Sequence, residues 1–269
     1  MTGILAQIIA ITSFGNDYLK NGKLNAFYPQ NSTFQHCNFV DFREMTKKDG
    51  TSTEKETTVS KNPIEWFDYL KLKNCKKLRL FYQTDEENDH MMAGFVGGGG
   101  NWLIETIYSN HSDLWMSRWN HNPKLTEKPW QVTYGKAIEN CPIINQQFDI
   151  IETRKNLKSS LEKIADFAYK ETTENWGKIF DRARETLESK NPGSNFYHND
   201  LICWTNYDLQ NRQLLMAANK AFVFGGMGSW NDMGFENNDT YERYNQLSTE
   251  LYQSMMESIT CAINKDRME

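Results

Sequence analysis

The chain has 269 residues, of which 39% are hydrophobic and 13% aromatic, and carries a formal net charge of -5 with a mean hydropathy of -0.71. That length supports a substantial core without disulfide or metal support, and burial must rest on Phe, Tyr and Trp more than on aliphatic side chains. The acidic balance argues against broad attraction to nucleic acid or anionic lipid, so the expected partner is another protein with a basic surface. No nucleic acid, membrane, metal or cofactor is expected.

The N-terminal stretch is apolar from Ile4 to Ile11, but no Lys or Arg precedes it, Gln7 interrupts it and no clear cleavage site follows. It therefore does not read as a signal peptide. No run approaches the roughly 18 apolar residues of a membrane-spanning helix. Five scattered cysteines, Cys37, Cys75, Cys141, Cys203 and Cys261, form no C-x-x-C pair and read as reduced thiols of a cytoplasmic protein. Cys203, between Ile202 and Trp204, is expected to be a buried thiol rather than a nucleophile.

Thr46 to Lys61 is rich in Thr, Lys and Glu and predicts a mobile loop over 46–61. Asn62, Pro63 and Glu65 then supply a cap, a proline at the first helical position and an acid three residues after the cap, so a helix carrying Ile64, Phe67 and Leu70 follows. From about residue 76 to 138 the hydrophobic period shortens towards two in "KLRLFYQ", "MMAGFV", "NWLIETIY", "DLWMSRW" and "WQVTYGKAI", which predict successive antiparallel strands. Trp115 and Trp119 fall on one face of that sheet and need an apolar cover.

Helical spacing takes over further along. Leu157, Leu161, Ile164 and Ala168 form one stripe, and Trp176, Ile179, Phe180, Ala183 and Leu187 form a second, stopped by Asn191, Pro192 and Gly193. Asp208 is placed to cap a third helix ending near Gly225, and Asp239 with Glu242 to open a fourth that runs to Ala262. The predicted fold is α+β, a single domain over 1–269. An N-terminal antiparallel sheet with a helix occupies 1–140, and a layer of about four helices, 141–269, covers it.

Two segments resemble each other, "FVGGGGNW" at 95–102 and "FVFGGMGSW" at 222–230. Neither places its glycines ahead of a helix N-terminus or offers a phosphate-binding lysine, so neither reads as a nucleotide loop. Glycine also admits positive φ and close approach of a ring or a second backbone. Each cluster is expected to form a tight turn against Trp102 or Trp230. In a sharper form, Gly97, Gly98, Gly100, Gly225, Gly226 and Gly228 line one cleft between sheet and helices, with the two indoles as walls.

No motif with a mechanism-enforcing spacing is present, neither a G-x-S-x-G elbow nor an H-E-x-x-H helix. His198, Asp200 and Asp232 form the candidate acid-base or metal group, although Asn-Asp pairs are commonly turn and cap residues. His90, His111 and His121 lie near strand ends or turns and read as loop histidines more readily than as a metal site. Asp85, Glu86, Glu87 and Asp89 crowd one hairpin connection and would form an acidic knob able to steer a basic partner. Two function classes follow. The preferred one is a non-catalytic cytosolic binding protein anchored through the acidic knob, Trp102 and Trp230, in concrete form an immunity protein that neutralises a basic toxin domain. The other is a hydrolase-type enzyme using His198, Asp200 and Asp232.

Overall fold

Residues 3–21 form a helix whose first half has no solvent-facing side. In the computed structural model, which describes residues 1–24, 26–47, 54–84, 89–194 and 196–265, α1 (Gly3–Asn21) is buried continuously from Leu5 to Ser13. A helix that is apolar all round belongs inside a protein. Thr2 caps its first turn by accepting the Leu5 N–H, and Gly22 ends it at a φ of 76°.

Against α1 lies a six-stranded sheet made of β1 (Cys37–Lys47), β2 (Glu54–Ser60), β3 (Lys77–Gln83), β4 (Asn101–Ile107), β5 (Ser112–His121) and β6 (Trp130–Cys141). Its spatial order is β2-β1-β6-β5-β4-β3. The run from β3 to β6 is an antiparallel meander, as the period-two pattern predicts, whereas β1 joins β6 in parallel, so the sheet is mixed. That pairing joins segments far apart in sequence, and no local pattern announces it.

The predicted mobile loop is partly strand. Residues 54–60 pair with the end of β1, from Phe42↔Ser60 to Lys47↔Glu54, and residues 48–53 lie outside the described ones. Low hydropathy fits an outermost strand of Lys, Glu and Thr, since polar side chains there discourage pairing with other chains.

The indole face is covered first by α1 and α2 (Pro63–Leu72), and the C-terminal helices pack behind α1 and along β3. Trp66 of α2 stacks on Phe42 at 4.2 Å and meets Trp115 edge-on at 5.3 Å, while Phe42 stacks on Tyr134 at 5.1 Å. Rings of this size remove ~150–250 Å² from water, roughly 4–6 kcal/mol each at ~25 cal/mol per Å². The α2 cap forms as its sequence predicts, with Asn62 accepting the Glu65 N–H and Glu65 accepting the Lys61 N–H.

The helical half contains α4 (Ile150–Glu171), α5 (Glu174–Thr186), α6 (Leu209–Lys220) and α7 (Asn238–Asn264), after the single turn of α3 (Asp89–Met92). The α+β class with a C-terminal helical layer is thus the observed one. Two boundaries differ from expectation: α6 ends at Lys220, well before Gly225, and the α7 cap is Asn237, which accepts the Thr240 N–H. "MMAGFV" is α3 and a turn rather than a strand.

The outer edge of β3 is closed by side chains. Asn16 of α1 accepts the Leu78 N–H at 2.7 Å and donates to the Leu78 carbonyl at 2.9 Å. Asn264 of α7 does the same for Leu80, at 2.7 and 2.6 Å. Each carboxamide reproduces the hydrogen-bond pair that a neighbouring strand would supply. No helix of the described residues is long and apolar enough to cross a membrane.

Candidate functional site

Gly94, the residue just before the first glycine segment, meets the second segment. Gly94 lies against Gly225 and Gly226 so closely that a Cβ on Gly94 would fall within 2.6 Å of the Gly226 nitrogen. Asn231 reinforces the contact by donating to the His90 carbonyl at 2.9 Å. Gly94 and Asn231 were not singled out in the sequence, but an isolated glycine within an apparent strand is a signal of close backbone approach.

Downstream of this contact the chain turns through Gly97, Gly99 and Gly100 at φ values of 80°, 83° and 84°. Their missing side chains make room for tyrosines, with Tyr252 beside Gly99 and Tyr82 beside Gly100. Tyr252 donates to the Gly99 carbonyl at 2.7 Å, and Tyr82 donates to Asp89 at 2.8 Å. Burial raises the pKa of both phenols, so both remain donors.

The turn encloses a cavity of about 310 Å³ between the glycine loop, the N-terminal end of α1 and the splayed ends of β4 and β5. Ile4, Leu5, Trp102, Trp119, Phe222 and Tyr252 supply its apolar wall. Gly97, Gly98 and Gly100 line it, but Gly225, Gly226 and Gly228 do not; Gly225 and Gly226 lie against Gly94, and Gly228 belongs to the turn closed by Asp232. Its described lining contains no His, Cys, Asp or Glu, and besides the indoles its polar side chains are those of Thr2, Asn101, Ser117, Arg118 and Tyr252.

Apolar side chains are exposed beside the glycine contact. Phe95 and Val96 are 59% and 57% exposed and Met227 is fully exposed. Phe95 follows Gly94 directly and Met227 follows Gly226, so with Cα steps of about 3.8 Å all flank the glycine contact.

The expected anchors divide. Trp102 borders the cavity and packs on Tyr82 at 4.8 Å. Trp230 is fully buried elsewhere, between Phe180 at 5.1 Å and Tyr244 at 5.4 Å, with its indole N–H donating to Ser248 at 2.8 Å, so it is unavailable to a partner. Asp85, Glu86 and Glu87 lie outside the described residues. Asp89 is buried, accepting from Tyr82 and from Thr84 at 2.8 Å each, and so does not belong to a solvent-facing knob.

His198 and Asp200 converge, but on Ser32 rather than on Asp232. The Ser32 hydroxyl lies 2.7 Å from His198 Nδ1 and also contacts Asp200 Oδ1, while Asp200 Oδ2 accepts the Ser32 N–H at 2.7 Å. A serine has one hydroxyl proton, and it has two acceptors in reach, the Asp200 carboxylate and, in the tautomer protonated at Nε2, His198 Nδ1. Asn31 donates to the Asp200 carbonyl at 2.6 Å, so the group clasps residues 198–201 to residues 31–34. Asp232 accepts from Gly228 N within its own turn and has no hydrogen bond to His198 or Asp200.

The other histidines are dispersed. His111 stacks on Tyr108 at 4.7 Å and His121 meets Trp130 edge-on at 5.1 Å. His90 is buried against Phe224 at 5.7 Å, and neither of its ring nitrogens has a hydrogen-bond partner. Burial lowers its pKa against a smaller opposing pull from Asp89. Cys203 is half-buried rather than buried, and burial raises its pKa away from the reactive range. No family model, curated protein or solved structure matches the chain.

Proposed function

We propose that the chain is a non-catalytic cytosolic protein-binding protein, with its docking point at the paired glycine loops. The carrying observation is that Phe95, Val96 and Met227 stand exposed around a main-chain contact, Gly94 on Gly225, that holds both loops in place. Apolar side chains on a preorganised support lose little freedom on binding, which favours affinity. The net charge of -5 and the acidic run of Asp85, Glu86 and Glu87, next to α3 in sequence, favour a basic partner. In its concrete form the chain is an immunity protein that neutralises a basic toxin domain, with charge accelerating encounter and the apolar loops slowing release.

Affinity capture from extract of the native cells tests this reading, using wild type, the double variant Phe95→Ser with Met227→Ser, and a variant with Asp85, Glu86 and Glu87 neutralised. The double variant is expected to lose the captured protein, and the neutralised one to capture it more slowly and with weaker salt dependence. Equal capture by all three would remove the docking point.

A further inference from the structure

We propose that the cavity behind the glycine loop receives an extended peptide segment of the partner, added as a strand along the free edge of β5. This rests on the protein-binding reading above and specifies what the partner presents.

Pairing between β4 and β5 stops at Leu103↔Met116, although β5 continues to His121 beside β6 and β4 begins at Asn101 beside β3. The sheet therefore forks. The cavity occupies the fork, bounded by Gly100, Asn101 and Trp102 on one side and Ser117, Arg118 and Trp119 on the other. Just ahead of the fork the chain turns through Gly99 and Gly100 at positive φ before entering β4.

The direction of the free main-chain groups follows from alternation. Leu78 and Leu80 aim theirs outward at Asn16 and Asn264, so their opposite numbers in β4, Thr106 and Ile104, aim theirs at β5. Across that pairing Asp113 and Trp115 aim back at β4, and two-residue alternation carries the same direction to Ser117, Trp119 and His121. On the other parity, Asn122 donates to the Pro129 carbonyl on the β6 side. Ser117, Trp119 and His121 thus direct N–H and C=O groups into the fork, over an edge of about 14 Å at ~3.4 Å per residue.

At β3 the same problem is solved by Asn16 and Asn264. No described strand or side chain closes the β5 stretch in that way. A row of main-chain donors and acceptors beside an apolar cavity fits an extended backbone better than a compact ligand. Side chains of the added strand on the Ser117 and Trp119 face point towards Trp102, Phe222 and Tyr252, while alternate ones lie on the other face beside Met116 and Arg118, which border the same cavity and set a cation there. The segment recognised is therefore apolar at every second position.

The test pans the full chain against a phage-displayed library of short random peptides and measures backbone amide exchange with the best synthetic peptide bound. Enriched peptides are expected to alternate apolar and polar residues, to slow exchange at residues 117–121, and to lose affinity about tenfold or more when backbone nitrogens are methylated in one alternating set but not in the other. Ser117→Trp, which fills the fork, is expected to weaken the same peptide by a similar factor, and its thermal unfolding is followed alongside; because exchange is read on wild type, misfolding of the variant leaves the test intact. No enrichment, tolerance of methylation at every position, protection away from 117–121, or binding only of non-peptide compounds would overturn the proposal. If these fail while Phe95→Ser with Met227→Ser still abolishes partner capture, the docking reading stands and the strand addition does not.

Discussion

Gly94 and Gly225 lie main chain against main chain, and this contact holds the two glycine loops in register. Gly94→Ala must push backbone against backbone, which no rotamer change relieves, so a loss of roughly 1–3 kcal/mol is expected in urea unfolding. Gly226→Ala is the control. A Cβ there has no atom within 4 Å, and its effect should stay within about 0.5 kcal/mol.

Tyr252→Phe keeps the ring beside Gly99 and removes only the hydroxyl that donates to the Gly99 carbonyl. A buried carbonyl left without its donor costs about 1–3 kcal/mol. Amide exchange in residues 97–100 should accelerate more than exchange in α4, and equal acceleration in both would show that the bond does not hold the loop.

His90 gives the fold an acid dependence. Its folded pKa lies below the ordinary value of 6.5, since burial disfavours the cation and neither ring nitrogen has an acceptor. As pH falls through about 6.5, the unfolded chain takes up a proton that the folded chain refuses, so stability declines by up to about 1.4 kcal/mol per pH unit. The decline levels off below the folded pKa, and above about pH 7.5 the term vanishes. His198, lowered by burial against the charge of Asp200, adds in the same direction. His90→Leu should flatten the curve of unfolding free energy between about pH 5 and 7, and an unchanged slope would assign the dependence elsewhere.

The Ser32 group separates a clasp from a nucleophile. Asp200→Ala leaves the Ser32 N–H without its acceptor and should cost about 1–3 kcal/mol, whereas wild type treated with a fluorophosphonate should remain unlabelled at Ser32. Labelling there would favour the hydrolase reading.

Much of this architecture was legible because it is local. The Asn62, Pro63 and Glu65 cap, the β3 to β6 meander and the stripes of α4, α5 and α7 each declare themselves within a short window. What escaped is long-range or lacks contrast. The first half of α1 is apolar on every side, so no amphipathic stripe announces it as a helix, and Trp115 is met by Trp66 of α2, which no local pattern pairs with it. β2 is polar on both faces because it is an edge, and the β1–β6 pairing spans most of the sheet-rich half. At the site, the clustered glycines were a sound signal, but their purpose is to admit Tyr82, Tyr252 and Gly225 rather than the tryptophans next to them in sequence. Trp230 shows the limit of that pairing: it lies as close to glycine as Trp102 does in sequence, yet it is core.

The most direct measurement is site-specific photo-crosslinking in the native cell, with benzoylphenylalanine at position 95 and, separately, at exposed position 241 on α7. Docking on the glycine loops predicts a discrete protein adduct from position 95 that is missing from position 241 and disappears when Met227→Ser is added. The same adducts from both positions, or one from position 241 alone, would contradict it.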